Sequence, residues 1–302
     1  MCHVSCVKGV ILFSCIFGIS YSCHAEAFRI SLKKAMAAKL ITVDAVSNGG
    51  YCQKSINLDL TNNTTKDLSV DVDPALIFKP EDTGYQNLIL LGNETITLAP
   101  RAHAQVNLQT FCGKSYGHSP AKNLCYNYWK QGDNDMIQAL CYVKSNNIDL
   151  SLAQRAVWMF TNGYCLNTIY TADHSRMSET FVKYLASLRN IGMPEYFMEY
   201  KIDTALGNRT TYTRDAKVYV TMHWNDDGYY RHMYLWIYKA NGDLYKKIEA
   251  DQVIDKYGVT VKVEFDPKRD LKGAYIVQLH DDANKVWDQK RVIVGMSACD
   301  MI

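Results

Sequence analysis

Three aromatic residues at alternate positions form the clearest candidate binding feature of the chain. Tyr234, Trp236 and Tyr238 alternate with apolar residues in the segment RHMYLWIYK, 231–239. Successive side chains of a β-strand point to opposite faces, so the three rings share one face. If that face is open to solvent, the rings can stack on sugars or on a peptide. If it is covered, they pack in the core or between domains, and the sequence leaves both alternatives open.

No sequence pattern of a known catalytic or metal centre accompanies these rings. The eight histidines include no H-E-x-x-H, and the chain has no C-x-x-C, G-x-S-x-G, P-loop or dinucleotide fingerprint. An Asp-His-Ser tripeptide at 173–175 has the residue types of a triad, but a triad is defined in space. Acidic pairs at 226–227 and 281–282 predict solvated turn acids, with a calcium site as the alternative. We therefore predict no catalytic residue, no metal and no cofactor.

Residues 1–25 have the composition of an export signal. Lys8 is their only charged residue, and the apolar core at 9–20 is too short to span a membrane. Cys23-His24-Ala25 fits a small-residue cleavage site, with Ala27 as the alternative position, and lipidation at Cys23 is the alternative processing. The mature chain is then expected to lack a transmembrane segment and to be periplasmic, cell-surface or secreted.

Cleavage after residue 25 would leave an even number of cysteines in an exported chain, which favours disulfides. The preferred pairings are Cys52 with Cys112, and Cys125 with Cys141 or Cys165, while buried thiols are the alternative. The six remaining cysteines are Cys52, Cys112, Cys125, Cys141, Cys165 and Cys299.

The overall composition is that of a globular protein without a strong charge bias. The 302 residues are 48% hydrophobic and 21% charged, with a formal net charge of +2. This length accommodates two domains and a connector. The small net charge gives no global electrostatic signal for nucleic acid or for an anionic membrane.

The best helix pattern lies at 149–163, where apolar residues recur at spacings of three and four. Asp149 or Ser151 is the predicted N-cap, and Gly163 is the predicted C-cap. Ser178 is a predicted cap for a later helix. A helical connector is expected at 121–192, with helices near 135–144, 150–161 and 179–189.

Short alternating segments separated by turn residues surround this connector. They predict strands in the regions 26–120 and 193–302, and Asn241-Gly242 is the strongest hairpin signal. The predicted fold is mainly β with a helical connector, in which two immunoglobulin-like antiparallel β-sandwiches flank a small α-helical segment.

The first half of the mature chain resembles a group of uncharacterised exported bacterial proteins. In that group an immunoglobulin-like β-sandwich is followed by a helical segment, and no activity is implied. The resemblance is carried by Gly50-Tyr51, NLDLTNNTTKDLSVDV (57–72), IFKPED (77–82), GYQNLILL (84–91), TITLAP (95–100), Cys112 and NNIDLSLAQRAVWMFTNG (146–163).

Two further motifs resemble the thioester domains of bacterial surface adhesins. Leu-Cys-Tyr occurs at Cys125 and at Cys141, and AQRAVW around Gln154 is similar to the glutamine-bearing helix of those domains. The resemblance implies attack of a thiol on the Gln154 carboxamide with loss of ammonia, which gives an acyl group that captures an amine. The alternative is that Gln154 is a polar helix residue and Trp158 a core aromatic.

The function expected from these features is non-enzymatic binding at the cell envelope or outside the cell. The partner would be a protein or a glycan, with no role for nucleic acid. Two alternatives remain open: an adhesin with a thioester, and a carbohydrate-binding module that uses the Tyr234–Trp236–Tyr238 face.

Overall fold

A computed structural model describes residues 27–50, 53–115, 117–199, 216–224, 232–250, 252–255 and 258–295. Within these ranges the chain is mainly β, with four sheets and four α-helices. The predicted export signal lies outside them, as do Cys52 and Cys299. None of the helices in these ranges combines the length and the apolar composition that a bilayer crossing requires.

Ten strands build the N-terminal part. They are β1 Phe28–Ser31, β2 Ile41–Asn48, β3 Ile56–Asn62, β4 Leu68–Asp71, β5 Leu76–Pro80, β6 Leu88–Leu90, β7 Thr95–Leu98, β8 His103–Leu108, β9 Thr110–Cys112 and β10 Lys122–Gln131. A three-stranded sheet of order β1-β4-β7 faces a seven-stranded sheet of order β8-β3-β2-β10-β5-β6-β9. Alternation in β3 and β4 buries Leu58, Leu60 and Val70 between the two sheets, where they join one apolar core.

Two details of this part differ from the sequence-based expectation. Strand β10 begins after residue 120 and lies in the middle of the large sheet, whereas the sequence predicts a helical connector from residue 121. Strand β1 is followed directly by a short helix, α1 (Leu32–Ala37). Strand β1 pairs parallel with β4, whereas antiparallel pairing was expected throughout. These pairings join distant segments, so local composition does not reveal them.

The outer face of the seven-stranded sheet has two different halves. On β5, β6 and β9 it presents Ile77, Ile89 and Phe111, which are buried under the helices. On β8, β3, β2 and β10 the same face presents polar side chains such as Asp59 and Gln105. The helices therefore cover only the apolar half.

Three longer helices follow, in the regions where the sequence predicts them. Asp149 caps the second by accepting bonds from the backbone of Ser151 (2.9 Å) and Leu152 (3.3 Å), and Gly163 ends it at φ 71°. The prediction for Ser178 is wrong, because the last helix begins three residues earlier and Ser178 donates to the carbonyl of His174. These helices are α2 Asn134–Ser145, α3 Leu150–Asn162 and α4 Ser175–Leu188.

Eight strands form two four-stranded sheets in the C-terminal part, with an apolar core between them. They are β11 Phe197–Glu199, β12 Lys217–Trp224, β13 Met233–Lys239, β14 Leu244–Glu249, β15 Gln252–Asp255, β16 Gly258–Phe265, β17 Gly273–Asp281 and β18 Val286–Val294. The sheet orders are β11-β12-β16-β15 and β14-β13-β17-β18. The predicted hairpin at Asn241-Gly242 is present and joins β13 to β14, with Gly242 at φ 90°.

The described cysteines do not form the preferred pairs. Cys112, Cys125 and Cys141 are thiols, so the pairings of Cys52 with Cys112 and of Cys125 with Cys141 or Cys165 are wrong. Cys165 is disulfide-bonded, but not to any of these three. The thiols lie on strand β9, strand β10 and helix α2, where the sheet and helix packing, rather than proximity in sequence, decides their neighbours.

Candidate functional site

The predicted aromatic residues lie on strand β13, on the outer face of the sheet β14-β13-β17-β18. Their apolar neighbours Met233 and Leu235 are buried in the core between the two C-terminal sheets. Tyr234, Trp236 and Tyr238 are half-buried on the opposite side. The alternation of aromatic and apolar residues in the sequence thus corresponds to the two faces of β13. Tyr234, Trp236 and Tyr238 are called the aromatic row below.

Side chains from both neighbouring strands border the aromatic row. Lys247 on β14 stands opposite Trp236, and its ammonium lies 4.7 Å from the Trp236 ring centroid and 4.8 Å from that of Tyr234. On β17, Gln278 stands opposite Trp236 and donates to Gln289 of β18 at 2.7 Å. The face thus combines rings with the Lys247 ammonium and two amides, and the register adds Glu249 opposite Tyr234 and Arg291 in line with Tyr238.

His280 fixes the position of the central ring. Its imidazole stacks on Trp236 with a centroid distance of 4.3 Å and an interplanar angle of 17°. Its two ring nitrogens lie 3.0 Å from Gln278 Oε1 and 3.3 Å from the carbonyl oxygen of Asn284. These contacts hold the imidazole against Trp236, so that one face of the indole is covered.

The outer tyrosines of the row add hydroxyl groups to its rings. Desolvation, and then the carboxylate of Asp282, raise the pKa of Tyr234 above its ordinary value, so its hydroxyl remains a hydrogen-bond donor at neutral pH. Tyr238 lies 6.4 Å from Trp236 between ring centroids. A tyrosine combines an apolar ring with a polar hydroxyl, which suits a ligand that has both C–H faces and hydroxyl groups.

The residues of the thioester hypothesis lie on three different elements. Cys125 is exposed on β10, and Cys141 is half-buried on α2, where its sulfur accepts a long bond from Asn93 (3.7 Å). Gln154 is fully buried on α3. The cysteine beside Gln154 is Cys112, which belongs to neither Leu-Cys-Tyr motif.

The Gln154 carboxamide forms a two-bond pair with the backbone of Cys112. Its oxygen accepts from the Cys112 N–H at 2.7 Å, and its nitrogen donates to the Cys112 carbonyl at 2.8 Å. Strand β9 is the last strand of its sheet, so these backbone groups face away from β6. Gln154 therefore satisfies an otherwise open strand edge, as a neighbouring strand would.

A second amide on the same helix extends this arrangement. Asn162 accepts from the Ser115 N–H and donates to the Gly113 carbonyl, both at 3.3 Å. Gln154 and Asn162 are eight residues apart, so they lie about two turns apart along one side of α3. Sequence reasoning did not identify this role, because only the packing of α3 against β9 brings the groups together.

Sequence reasoning also missed a polar cluster between α4 and the sheet of β11, β12 and β16. Glu199 accepts from the Tyr219 hydroxyl and from the Ala172 N–H, each at 3.0 Å, and Glu179 accepts from Thr221 at 2.7 Å. This cluster connects the C-terminal sheets to the helices.

Burial, and after it the neighbouring carboxylates, set the direction of the pKa shifts of two groups in this cluster. Burial lowers the pKa of Lys262, against the opposing effect of Glu179 and Glu199. Burial also raises the pKa of Tyr219, and the hydrogen bond to Glu199 adds to that rise. The phenol is therefore neutral and donating at physiological pH, which is what a structural hydrogen bond to a carboxylate requires.

Two other acidic groups are occupied by structural contacts. Asp281, from a pair predicted as turn acids, is buried and accepts from two backbone N–H groups and the Trp287 indole. A surface pocket of about 380 Å³ is lined partly by Arg29 and Asp71, whose side chains form a 2.7 Å ion pair.

In the described ranges no three His, Cys, Asp or Glu side chains are grouped to hold a metal ion. The acidic pair at 226–227 lies outside those ranges.

Comparison with known proteins gave no match to a family model, to a curated protein or to a solved structure.

Proposed function

We propose that this protein works by binding, at the cell envelope or outside the cell, and that the aromatic row on β13 is its contact surface for carbohydrate. The observation that carries the proposal is the placement of the row. Three half-exposed rings share the outer face of a sheet with Lys247, Gln278 and Gln289, while the alternate side chains form the core.

The second C-terminal sheet does not offer a comparable surface. Its outer face carries Phe197 and Tyr219, which are buried in the same apolar core as the helices. The sheet with the aromatic row has its outer face directed away from those helices. A row of large rings on a partly exposed sheet face is a common feature of interaction surfaces.

The chemistry of the row suits sugars better than an apolar peptide. The C–H faces of a sugar ring pack against aromatic rings, and its hydroxyl groups need polar partners nearby. The Gln278–Gln289 pair and the Tyr234 hydroxyl supply such partners within the same face. A sugar can bind the row without disrupting the stacking of His280 on Trp236, because Tyr234 and Tyr238 flank the Trp236 ring.

In the same proposal, the chain is exported after cleavage near residue 25, and immunoglobulin-like sandwiches flank the helical segment. Each part has two sheets, and the helices lie between the two parts in the sequence, which supports this arrangement. The amino-terminal sequence of the protein recovered from envelope and culture fractions tests export. A chain that keeps residues 1–25 and remains inside the cell would contradict it.

A glycan array tests the contact surface. Wild type should bind a defined set of glycans, and Trp236→Ala and Tyr238→Ala should each weaken that binding at least tenfold. Tyr85→Ala is the matched control, since it removes a half-buried tyrosine from the N-terminal part. Absence of glycan binding by wild type, or equal binding by all four proteins, would refute the carbohydrate proposal.

A further inference from the structure

A second aromatic surface lies on the N-terminal seven-stranded sheet. Trp129 on β10 is 46% exposed. It lies beyond Tyr126, the last residue of β10 that pairs with β2, in the part of the strand that pairs with β5 alone. One side of β10 is therefore unpaired at this position, and the indole is open to solvent.

A β-bulge places this ring at the surface. The pairing of β10 with β5 shifts between Tyr128 and Lys130, so Trp129 is the additional residue. Bulges redirect side chains and are frequent beside functional sites. The register also puts Lys79, which stands opposite Asn127, on the same outer face as Lys130, which stands opposite Ile77.

Two ammonium groups surround the Trp129 ring. The Nζ atom of Lys79 lies 3.3 Å from the ring centroid, and that of Lys130 lies 4.4 Å from it. Within the described ranges no carboxylate forms an ion pair with either lysine. Lys217, in contrast, has Glu264 at 2.8 Å. The site therefore carries two uncompensated positive charges around one aromatic ring, although the net charge of the chain is only +2.

The surrounding face favours a narrow anionic partner over a membrane. Strands β2 and β3 continue the same outer face with Asp44, Asn57 and Asp59. A flat anionic bilayer that covered the face would meet these acids, and the polar amides would oppose insertion into hydrocarbon. A single polymer chain along β10 and β5 would meet mainly the ring and the two lysines.

We propose that Trp129, Lys79 and Lys130 bind an acidic polysaccharide. Carboxylate or sulfate groups of the polymer pair with the two lysines, and a sugar ring packs on the indole. A contact between a lysine ammonium and an aromatic ring at an exposed site is worth about 0.5–1 kcal/mol. Each lysine therefore loses little free energy when it leaves the indole and pairs with an anionic group of the ligand. This site is separate from the aromatic row on β13 and does not depend on the function proposed for it.

Binding of the full mature chain to polygalacturonate, measured by calorimetry at low and at physiological salt, tests the site. Trp129→Ala, and separately the double variant Lys79→Gln/Lys130→Gln, should weaken binding at least tenfold. The matched control is Lys54→Gln/Lys66→Gln, which removes the same charge from two exposed lysines and should change affinity less than twofold. Binding should also weaken with salt, because exposed charges are screened.

Other outcomes would overturn the proposal. One is an equal loss of polygalacturonate affinity in the control double variant, and another is unchanged affinity after Trp129→Ala. A third is tighter binding to anionic phospholipid vesicles or to DNA than to polygalacturonate. Thermal unfolding of each variant confirms that its fold is retained. Lys79→Gln/Lys130→Gln should keep the binding of neutral array glycans that depends on Trp236, so failure of the aromatic row as a glycan surface and failure of this site are distinguishable.

Discussion

Gln154 shows how one side chain decides the stability of an edge strand. Its amide replaces the hydrogen bonds that another strand would supply to Cys112, inside a fully buried setting. A buried donor or acceptor without a partner costs about 1–3 kcal/mol. The interaction therefore explains why a polar residue stands on the apolar side of α3.

We predict that Gln154→Met destabilises the protein by about 2–4 kcal/mol, because both Cys112 backbone groups lose their partner while the side-chain volume is nearly kept. The free energy of unfolding in urea measures this. Gln138→Met, an exposed position on α2, is the control and should stay within about 0.5 kcal/mol of wild type. Equal effects at the two positions would contradict the edge-strand role.

The same contact bears on the thioester hypothesis. A carboxamide whose two ends are bonded to backbone is held in its amide form, and the two selected cysteines lie on other elements. We expect the intact mass to equal that of the unmodified mature chain, before and after methylamine treatment. A mass lower by about 17 Da, restored to a higher value by methylamine, would instead support the acyl chemistry.

At the scale of elements, the Asp149 cap defines where α3 begins. Desolvation raises the pKa of Asp149, but hydrogen bonds from the Ser151 hydroxyl and from the backbone of Ser151 and Leu152 lower it more, so the folded pKa is depressed. A depressed carboxyl pKa stabilises the folded state above the unfolded value of about 3.9. That stabilisation disappears as pH falls through the lower folded value.

Asp149→Ala should therefore cost about 1 kcal/mol at pH 7. The difference from wild type should shrink as pH falls below about 4, because the protonated cap loses its charge-assisted bonds. Urea unfolding at pH 7 and pH 3 measures both values. Asp67→Ala, at an exposed position, is the control and should show neither effect. A constant difference at both pH values would contradict the charged-cap explanation.

At the scale of the whole molecule, one apolar core joins the large N-terminal sheet, the helices and the first C-terminal sheet. Ile89, Leu152, Phe181 and Phe197 belong to this core. Phe197 also stacks on Tyr170 with a centroid distance of 4.8 Å. The helical segment is thus packed against sheets before and after it in the chain.

We predict that the wild-type protein unfolds in a single transition because of this shared core. Phe197→Ala should cost about 3–5 kcal/mol and separate the transition of the C-terminal sheets from the rest. Far-ultraviolet circular dichroism and tryptophan fluorescence during thermal unfolding measure both. Phe28→Ala, at a position 54% exposed, is the control. Two separate transitions already in wild type would contradict this coupling.

The sequence by itself determined features that depend on neighbours along the chain. The helix at 150–162, its Asp149 and Gly163 caps and the alternation of β13 follow from local periodicity and backbone preference. The hairpin at Asn241-Gly242 follows from the conformation that such a turn requires.

Only the tertiary structure decided which distant groups meet. It paired Gln154 with Cys112 rather than with Cys125 or Cys141, put β10 in the middle of a sheet, and exposed Trp129 between two lysines. The physical reason is that sheet order and helix packing bring together residues tens of positions apart. No local pattern encodes such contacts, because their energy depends on which strand and which helix become neighbours.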